Sequence, residues 1–361
     1  MRKYTPTHAA NEAPVVLPGS TAVIIGRWQP FHLGHETLLN AALATSERVV
    51  VVICAAFRAR ESRNPFTWQE RQAMVQACLT GADLARVRFL PVRDYFDDER
   101  WSAAVSKGVD ELIGSSGTVH GPTTVVDVKD ANTGVRLDHF PSWRQLDVLP
   151  KVAIDGTSLR NVFFEASDPD ARLAVMAPFV SQPVLNYLQA WARLPAYIER
   201  VRDHLAVVDY RKKWSAPSYL TADAVVVASK HVLLVRRASD IGHGLWALPG
   251  GFVAHDERFY SAAVRELAEE TGFEALPSSM KAAFKDREIF DHPHRSNRGR
   301  LITNAFYFNF GNMRLPEVQG GDDALQARWT PIAELPQMED KMFEDHAAII
   351  DRFVGMYRQV L

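Results

Sequence analysis

The sequence predicts two domains of different design, an α/β domain built on a parallel sheet and then an α+β domain. Three observations carry that prediction. Strand-like and helix-like segments alternate over residues 21–130, the pattern of a parallel sheet covered on both faces. Residues 178–215 then turn helical, interrupted by Pro195. From residue 219 onward strand signals pair up as in a hairpin, and a long helix pattern stands at 257–271.

In order, TAVII at 21–25 is a short apolar run that reads as a buried strand. The loop GRWQPFHLGH at 26–35 follows, and ETLLNAALATS at 36–46 repeats its apolar residues at helical spacing. RVVVVICAA at 48–56 is β-rich, TWQERQAMVQACL at 67–79 helical, and VRFLPV at 87–92 strand-like. ERWSAAVSKGVDELIG at 99–114 and TTVVDV at 123–128 repeat the alternation. In the second half, YLTADAVVVASKHVLLVRRAS at 219–239 reads as a β-hairpin, followed by WALPGGFV, the helix, a strand at RLITNAFYFNF, and a terminal helix near 340–358. The expected boundaries are a loose tail at 1–19, a first domain at 20–178, a helical connector at 179–215, and a second domain at 216–361.

The 361 residues suffice for two cores. Hydrophobic residues make up 47% and charged residues 23%, and the formal net charge is −2, spread almost evenly over both halves. There is no basic field to attract nucleic acid and no polybasic lipid anchor. Two cysteines, Cys54 and Cys78, are too few for a disulfide framework, so a reducing, cytoplasmic setting is expected. The first twenty residues contain no long apolar region, which argues against a signal peptide, and no apolar run reaches the length of a membrane span.

The first loop carries chemistry. Ligands of parallel sheets bind where strands end at their carboxyl edge, and GRWQPFHLGH lies there. Gly26 and Gly34 remove side chains where the chain must come close to a ligand. The helix beginning near His35 turns free N–H groups into the loop, a ready anion site. His32 and His35 can donate to phosphate oxygens, and Arg27 adds a cationic fork.

The loop resembles the HxGH signature of the nucleotidyltransferase superfamily, in the longer form typical of archaeal-type NMN adenylyltransferases, with Trp28 where that family usually has Phe. IDGTSLR at 154–160 resembles the family's second element, Ser-x-Thr-x-x-Arg, with Asp155 in place of the usual Ser; NPFTWQER at 64–71 and DERW at 98–101 also look like the family. The resemblance implies a Rossmann-like domain that transfers AMP from ATP to nicotinamide mononucleotide, releasing NAD and pyrophosphate. It implies that His32 and His35 hold ATP phosphates and that Arg160, with Thr157, Ser158 and their helix N-terminus, holds the leaving pyrophosphate. Gly26, Arg27, Trp28, Gln29 and Gly34 would line the nucleotide site, Trp101 would stack on nicotinamide, and Mg²⁺ would bridge phosphate oxygens. Other adenylyl acceptors, FMN or phosphopantetheine, stay open.

The second half contains GGFVAHDERFYSAAVRELAEETGF at 250–273. Glu266 and Glu270 are four apart and share a helix face, with Glu269 beside them, a spacing that makes sense around divalent cations. The stretch matches the Nudix pattern at Gly251, Glu257, Arg265, Glu266, Leu267, Glu269, Glu270, Gly272 and Phe273. That resemblance implies Mg²⁺ or Mn²⁺ held by Glu266, Glu269, Glu270 and the Gly250 carbonyl, with Arg265 orienting the glutamates and Glu257 supporting the loop. The reaction would be hydrolysis of a nucleoside diphosphate derivative. DHPHRSNRGRLITNAFYF at 291–308 is similar to a segment of ADP-ribose pyrophosphatases, implying that Arg298 and Arg300 bind the second phosphate or terminal ribose. Asp322 or Asp323, in GGDDALQARW, would supply a general base or a further metal contact. A sensor that binds ADP-ribose without cleaving it, and an NADH pyrophosphatase, are the alternatives. The order of motifs resembles the bifunctional NMN adenylyltransferase/Nudix hydrolases over about 20–175 and 200–360. The resemblance implies a homodimer and small nucleotides (ATP, NMN, ADP-ribose) as partners, with neither nucleic acid nor membrane; the two sites are expected to be chemically independent.

Overall fold

The computed structural model describes residues 16–114, 121–128, 139–149, 152–165, 168–214 and 217–357. Most of the expected tail lies outside them. The first half runs β1 (Leu17–Gly26), α1 (Leu33–Thr45), β2 (Ser46–Ile53), α2 (Trp68–Gln76), α3 (Gly81–Arg86), β3 (Val87–Pro91), α4 (Asp98–Gly114), β4 (Thr123–Val128), β5 (Arg144–Val148), α5 (Gly156–Phe163) and α6 (Pro169–Met176). β1 therefore starts inside the stretch read as tail. Its five strands form an all-parallel sheet in the order β3-β2-β1-β4-β5. The order reverses between β1 and β4, which opens a crevice at the carboxyl end of β1.

Alternation within strands explains the two faces. Ala22 and Ile24 of β1 and Val49, Val51 and Ile53 of β2 enter one core, beneath α1, α2 and α5. Val23, Val50 and Val52 point the other way, onto Val105 and Val109 of α4. Strands buried on both faces read as continuous apolar runs.

The helical stretch divides into α7 (Gln182–Trp191) and α8 (Pro195–Lys213), with Pro195 in the first turn of α8, where its missing N–H costs nothing. Val184, Leu188, Trp191 and Tyr197 belong to the first core, whereas Val207 belongs to the second. The segment is thus shared between the two cores.

The second half runs β6 (Tyr219–Ala228), β7 (His231–Arg237), β8 (Trp246–Ala247), β9 (Gly250–Phe252), α9 (Phe259–Thr271), α10 (Pro277–Ala283), β10 (Phe284–Phe290), β11 (Leu301–Asn309), β12 (Ala324–Pro331), a 3-10 helix (Ile332–Lys341) and α11 (His346–Val354). Its mixed sheet has the path β10-β11-β6-β7-β12, with β8 on β7 and β9 on β6. The hairpin turn at Ser229 and Lys230 uses positive φ at both residues. Ala222, Ala224 and Val226 face Ala262, Ala263 and Leu267 of α9, while Val225 and Val227 face Ile349 and Ile350 of α11. Among the described residues no helix is long and apolar enough to cross a membrane.

The halves meet through polar and aromatic contacts, Tyr95 packing edge-on to Tyr357. Buried Glu61 accepts from Asn297 Nδ2 at 2.9 Å and from the Glu344 N–H at 3.0 Å. Arg93 pairs with Glu339 at 2.6 Å and Arg100 with Asp351 at 2.9 Å.

Candidate active sites

The loop after β1 is held rigidly. Buried Arg71 of α2 donates to the carbonyls of Arg27 (2.8 Å), Cys54 (2.7 Å) and Ala55 (3.1 Å), tying the ends of β1 and β2 together. Trp28 adopts φ 53°, is buried, and donates from Nε1 to the Val52 carbonyl at 2.8 Å. A Cβ at Gly26 would lie 2.9 Å from that indole, so the glycine makes room for the tryptophan. Gln29 is also buried; it donates to the Phe66 carbonyl at 3.0 Å and accepts from the Phe66 N–H at 3.1 Å. Trp28 and Gln29 thus support the loop's architecture, and both also line the cavity at the end of β1.

His32 stands at the N-cap position of α1 without a side-chain bond to the helix, and its ring stacks on that of His35 with centroids 3.5 Å apart. A Cβ at Gly34 would come within 3.0 Å of the His32 ring. Burial lowers His32 to about 4, with Asp155 pulling weakly the other way; burial and then His32 push His35 well below the usual histidine range. Both rings are neutral near pH 7, and each has a buried Nδ1 with no partner.

Asp155, the departure from the family pattern, caps α5. Its Oδ1 accepts from the N–H groups of Thr157 (2.8 Å) and Ser158 (2.9 Å), and its Oδ2 from the Ser158 hydroxyl (2.7 Å). Burial opposes ionisation there, but the Ser158 and Thr157 donors outweigh it and hold the carboxyl below its ordinary value. These donors are therefore engaged by Asp155. Arg160 donates to the Gln29 carbonyl at 2.7 Å and to Thr157 Oγ1 at 3.0 Å. Burial, then Arg63 and Arg27, lower Arg160 to about 10; burial, then Arg27 and Arg58, do the same to Arg63. Arg27 pairs with Asp94 at 3.3 Å. A cavity of about 380 Å³ is lined by Arg27, His35, Arg63, Asp155, Thr157, Arg160 and, from the second half, His294. Trp101 does not line it; its indole packs edge-on to Phe140, centroids 5.9 Å apart, against the core on the opposite face of the sheet. Arg63 and His294 escaped the sequence reading. Arg63 directly precedes NPFTWQER, whereas nothing local marks His294.

The second site is built on α9, which ends at Gly272 in the left-handed region, φ 63°. Arg265 donates to both oxygens of Glu257 at 2.9 Å, to Glu266 at 2.7 Å, to Glu269 at 2.8 Å and to the Phe252 carbonyl at 3.1 Å. One guanidinium thereby orients three carboxylates and the β9 strand. A Cβ at Gly251 would sit 2.5 Å from a Glu266 oxygen, and one at Gly250 would sit 2.2 Å from Asp223 Oδ1. The glycine pair lets β9 approach the acids closely. Buried Glu270 accepts from the Gly250 N–H at 2.9 Å. Burial, then a hydrogen bond with Asp323, raise Glu270 to about 9, and burial also raises Glu266. Asp323, not Asp322, is thus the aspartate at Glu270. Asp223 on β6, beside Gly250 in register, was missed by sequence reasoning because it sits in an otherwise apolar strand; burial lifts it to about 6.

Among the described residues no three His, Cys, Asp or Glu side chains converge as a closed metal shell. The donor chemistry nevertheless fits a hard divalent cation, since carboxylates gather where burial disfavours their unpaired charge. Arg298 and Arg300 are both engaged elsewhere. Arg298 pairs with buried Glu344 at 3.0 Å, and Arg300 lies 3.8 Å from Asp291 and donates to its carbonyl. Burial opposes the Glu344 charge, but Arg298 overcomes it and brings Glu344 to about 2.

Comparison with known proteins agrees with this division. A cytidylyltransferase-like family model matches residues 23–132, and a Nudix domain model matches residues 218–353. The first half is similar to the nicotinamide/nicotinic acid mononucleotide adenylyltransferase of Acinetobacter baylyi, 28% identical over 46% of this chain and 90% of that protein. The second half is similar to the ADP-ribose pyrophosphatase of Methanocaldococcus jannaschii, 31% identical over 37% of this chain and 72% of that protein. A bifunctional NMN adenylyltransferase/ADP-ribose pyrophosphatase from Francisella tularensis, solved with AMP and a Mn ion, superposes with a TM-score of 0.82 at 28% identity. That match covers 93% of this chain and 98% of the other.

Proposed function

The chain belongs to the Nudix family, its Nudix domain joined to a cytidylyltransferase-like domain, and from that premise we propose that it makes NAD in one half and cleaves ADP-ribose in the other. The observation that carries the reading is the opposite charge of the two sites on one chain: a cation-lined cavity at the sheet's switch point, and a carboxylate cluster on α9.

In the first half, an oxygen of the NMN 5′-phosphate attacks the α-phosphorus of ATP, the α–β bridging bond breaks, and pyrophosphate leaves with the electron pair. No covalent enzyme intermediate is needed, so positioning and charge stabilisation suffice. Neutral His32 and His35 donate N–H groups to ATP phosphates; Arg27 and Arg160 face the charge that builds on the leaving group. Trp101 stacking on nicotinamide remains part of this proposal and requires the ligand to reach the α4 side of the sheet.

In the second half, water attacks one phosphorus of ADP-ribose and the products are AMP and ribose 5-phosphate. Mg²⁺ or Mn²⁺, held by Glu266, Glu269, Glu270 and the Gly250 carbonyl, would supply charge neutralisation and a lowered pKa for water. Arg265 and Glu257 hold the carboxylates in place, and Asp323 is the better-placed base of the aspartate pair. Arg298 and Arg300 contact substrate only by leaving their present partners.

Unpaired Cys54 and Cys78 support a cytoplasmic setting. The homodimer rests on family resemblance, and light scattering decides it. The test of function is a product assay with Mg²⁺, with NMN and ATP in one tube and ADP-ribose in another. NAD and AMP, respectively, are expected. No NAD would move the acceptor to FMN or phosphopantetheine; no AMP would leave a sensor or a hydrolase of another diphosphate.

A further inference from the structure

The loop between β10 and β11 belongs to the second half but reaches the first. It is anchored on both sides. Arg295 forms a buried pair with Asp345 at 2.8 Å and 2.9 Å, Asn297 donates to Glu61 at 2.9 Å, and Arg211 donates to the Asn297 carbonyl at 2.9 Å. The His294 N–H donates to His292 Nδ1 at 3.1 Å, and the His294 carbonyl accepts from Arg63 at 3.4 Å. His294 is thereby presented at a defined place, on the wall of the 380 Å³ cavity. The same residue, with Arg63, Thr157 and Arg160, also lines an adjoining cavity of about 600 Å³ between the halves.

The charge there is unbalanced. Among the described residues neither Arg63 nor Arg160 has an ion-pair partner, and the acid that lines the cavity, Asp155, is committed to the start of α5. Half-buried guanidiniums without carboxylates call for an anion. His294, beside Arg63 on the same cavity, offers a further donor to it.

We propose that the second half completes the first half's site, with His294 donating a hydrogen bond to the polyphosphate of the nucleoside triphosphate, and to released pyrophosphate, held against Arg63 and Arg160. The inference rests on reading the first half as an adenylyl-transfer site. It makes His294 a substrate-binding residue supplied across the domain boundary, although the α9 carboxylates line neither cavity.

The test uses the full chain, with His294→Ala and the donor-retaining His294→Gln. Titration calorimetry measures ATP and inorganic pyrophosphate without NMN, steady-state kinetics follow NAD formation, and a thermal melt checks folding. His294→Ala should weaken both ligands about tenfold, as expected for one hydrogen bond to a charged group. It should raise KM for ATP more than it lowers kcat, and His294→Gln should recover most of the loss. Unchanged ATP and pyrophosphate affinity in a folded His294→Ala protein overturns the proposal. If His294→Ala does not fold, full affinity in His294→Gln together with lost affinity in a folded His294→Leu supports it, and full affinity in both overturns it. Wild-type chain that binds pyrophosphate through His294 but makes no NAD keeps the proposal and removes the NMN reading. Wild-type chain that binds neither ligand removes both.

Discussion

Replacing Gly250 by alanine tests how the hydrolytic site is built. A Cβ there would lie 2.2 Å from Asp223 Oδ1, 2.5 Å from the Ala222 carbonyl and 2.8 Å from the Asp223 Cα. Two of those three atoms are backbone, and the third belongs to a buried side chain that accepts from Thr303 at 2.9 Å. None can swing away cheaply. β9 must therefore withdraw by about 1 Å from β6, which breaks the pairing of Asp223 with Gly250 and draws the Gly250 N–H off Glu270. Overpacking costs about 1–3 kcal/mol and the lost hydrogen bond about 1 kcal/mol, so about 3 kcal/mol is expected in all. In a domain of this size that lowers the melting temperature by ~10 °C. ADP-ribose cleavage should fall at least tenfold while NAD synthesis continues. Gly251→Ala is the control: the three atoms nearest its Cβ all belong to the Glu266 carboxylate, a side-chain end that can shift off Arg265, so hydrolysis should suffer with less loss of stability. A Gly250→Ala protein that melts and hydrolyses like wild type would show that β9 does not position the acids.

Other outcomes follow from single groups. Burial depresses His32 from 6.5 to about 4, so its contribution to stability is complete above pH 6.5 and is lost as pH falls toward 4; His32→Gln should lose about 3 kcal/mol less over that window in denaturant titrations. Arg298→Ala leaves the Glu344 carboxylate buried and unpaired, at a cost of about 3–5 kcal/mol seen in the melt; unchanged stability with a raised KM for ADP-ribose would instead favour the substrate-binding role. Asp323→Asn should lower ADP-ribose cleavage at least tenfold in a rate assay, and Asp322→Asn should leave it near wild type, because, beyond burial, Asp323 is the aspartate whose proximity raises Glu270. Chelating divalent ions with EDTA should stop AMP production, and restoring Mg²⁺ or Mn²⁺ should recover it.

The parts legible in the sequence are those whose physics is local. Glu266, Glu269 and Glu270 declare themselves because a helix converts spacing into proximity, and Arg265 reaches Glu269 by the same rule. The alternation of β1 to β4 declares a parallel sheet, and Gly26 and Gly34 mark a tight loop. What stayed hidden depends on distant chain segments meeting. The sheet order that places β4 beside β1 is not written in any one strand. Trp28 lines the nucleotide cavity as its place in the motif suggests, but its positive φ and its bond to the Val52 carbonyl, which fix the loop, were not legible. Asp155 looked like a lost hydroxyl, and proves to be a helix cap that engages two N–H groups. The connector looked like a spacer because helical periodicity does not say which core its face enters; Trp191 and Val207 enter different ones.

The junction between the halves has a consequence for how the chain behaves. Among the described residues several contacts across it are buried and polar, notably Glu61 with Asn297 and with the Glu344 N–H. Apolar surfaces can slide and repack, but a buried carboxylate with fixed donors cannot move without leaving a charge uncompensated. Such a junction favours one relative arrangement of the domains over others of similar contact area. That arrangement is what holds the β10–β11 loop, with His294 on it, against Arg63. Because Glu61 holds Asn297 of that loop, damage at Glu61 should be felt at the nucleotide cavity before it is felt at the carboxylates of α9, which do not line that cavity.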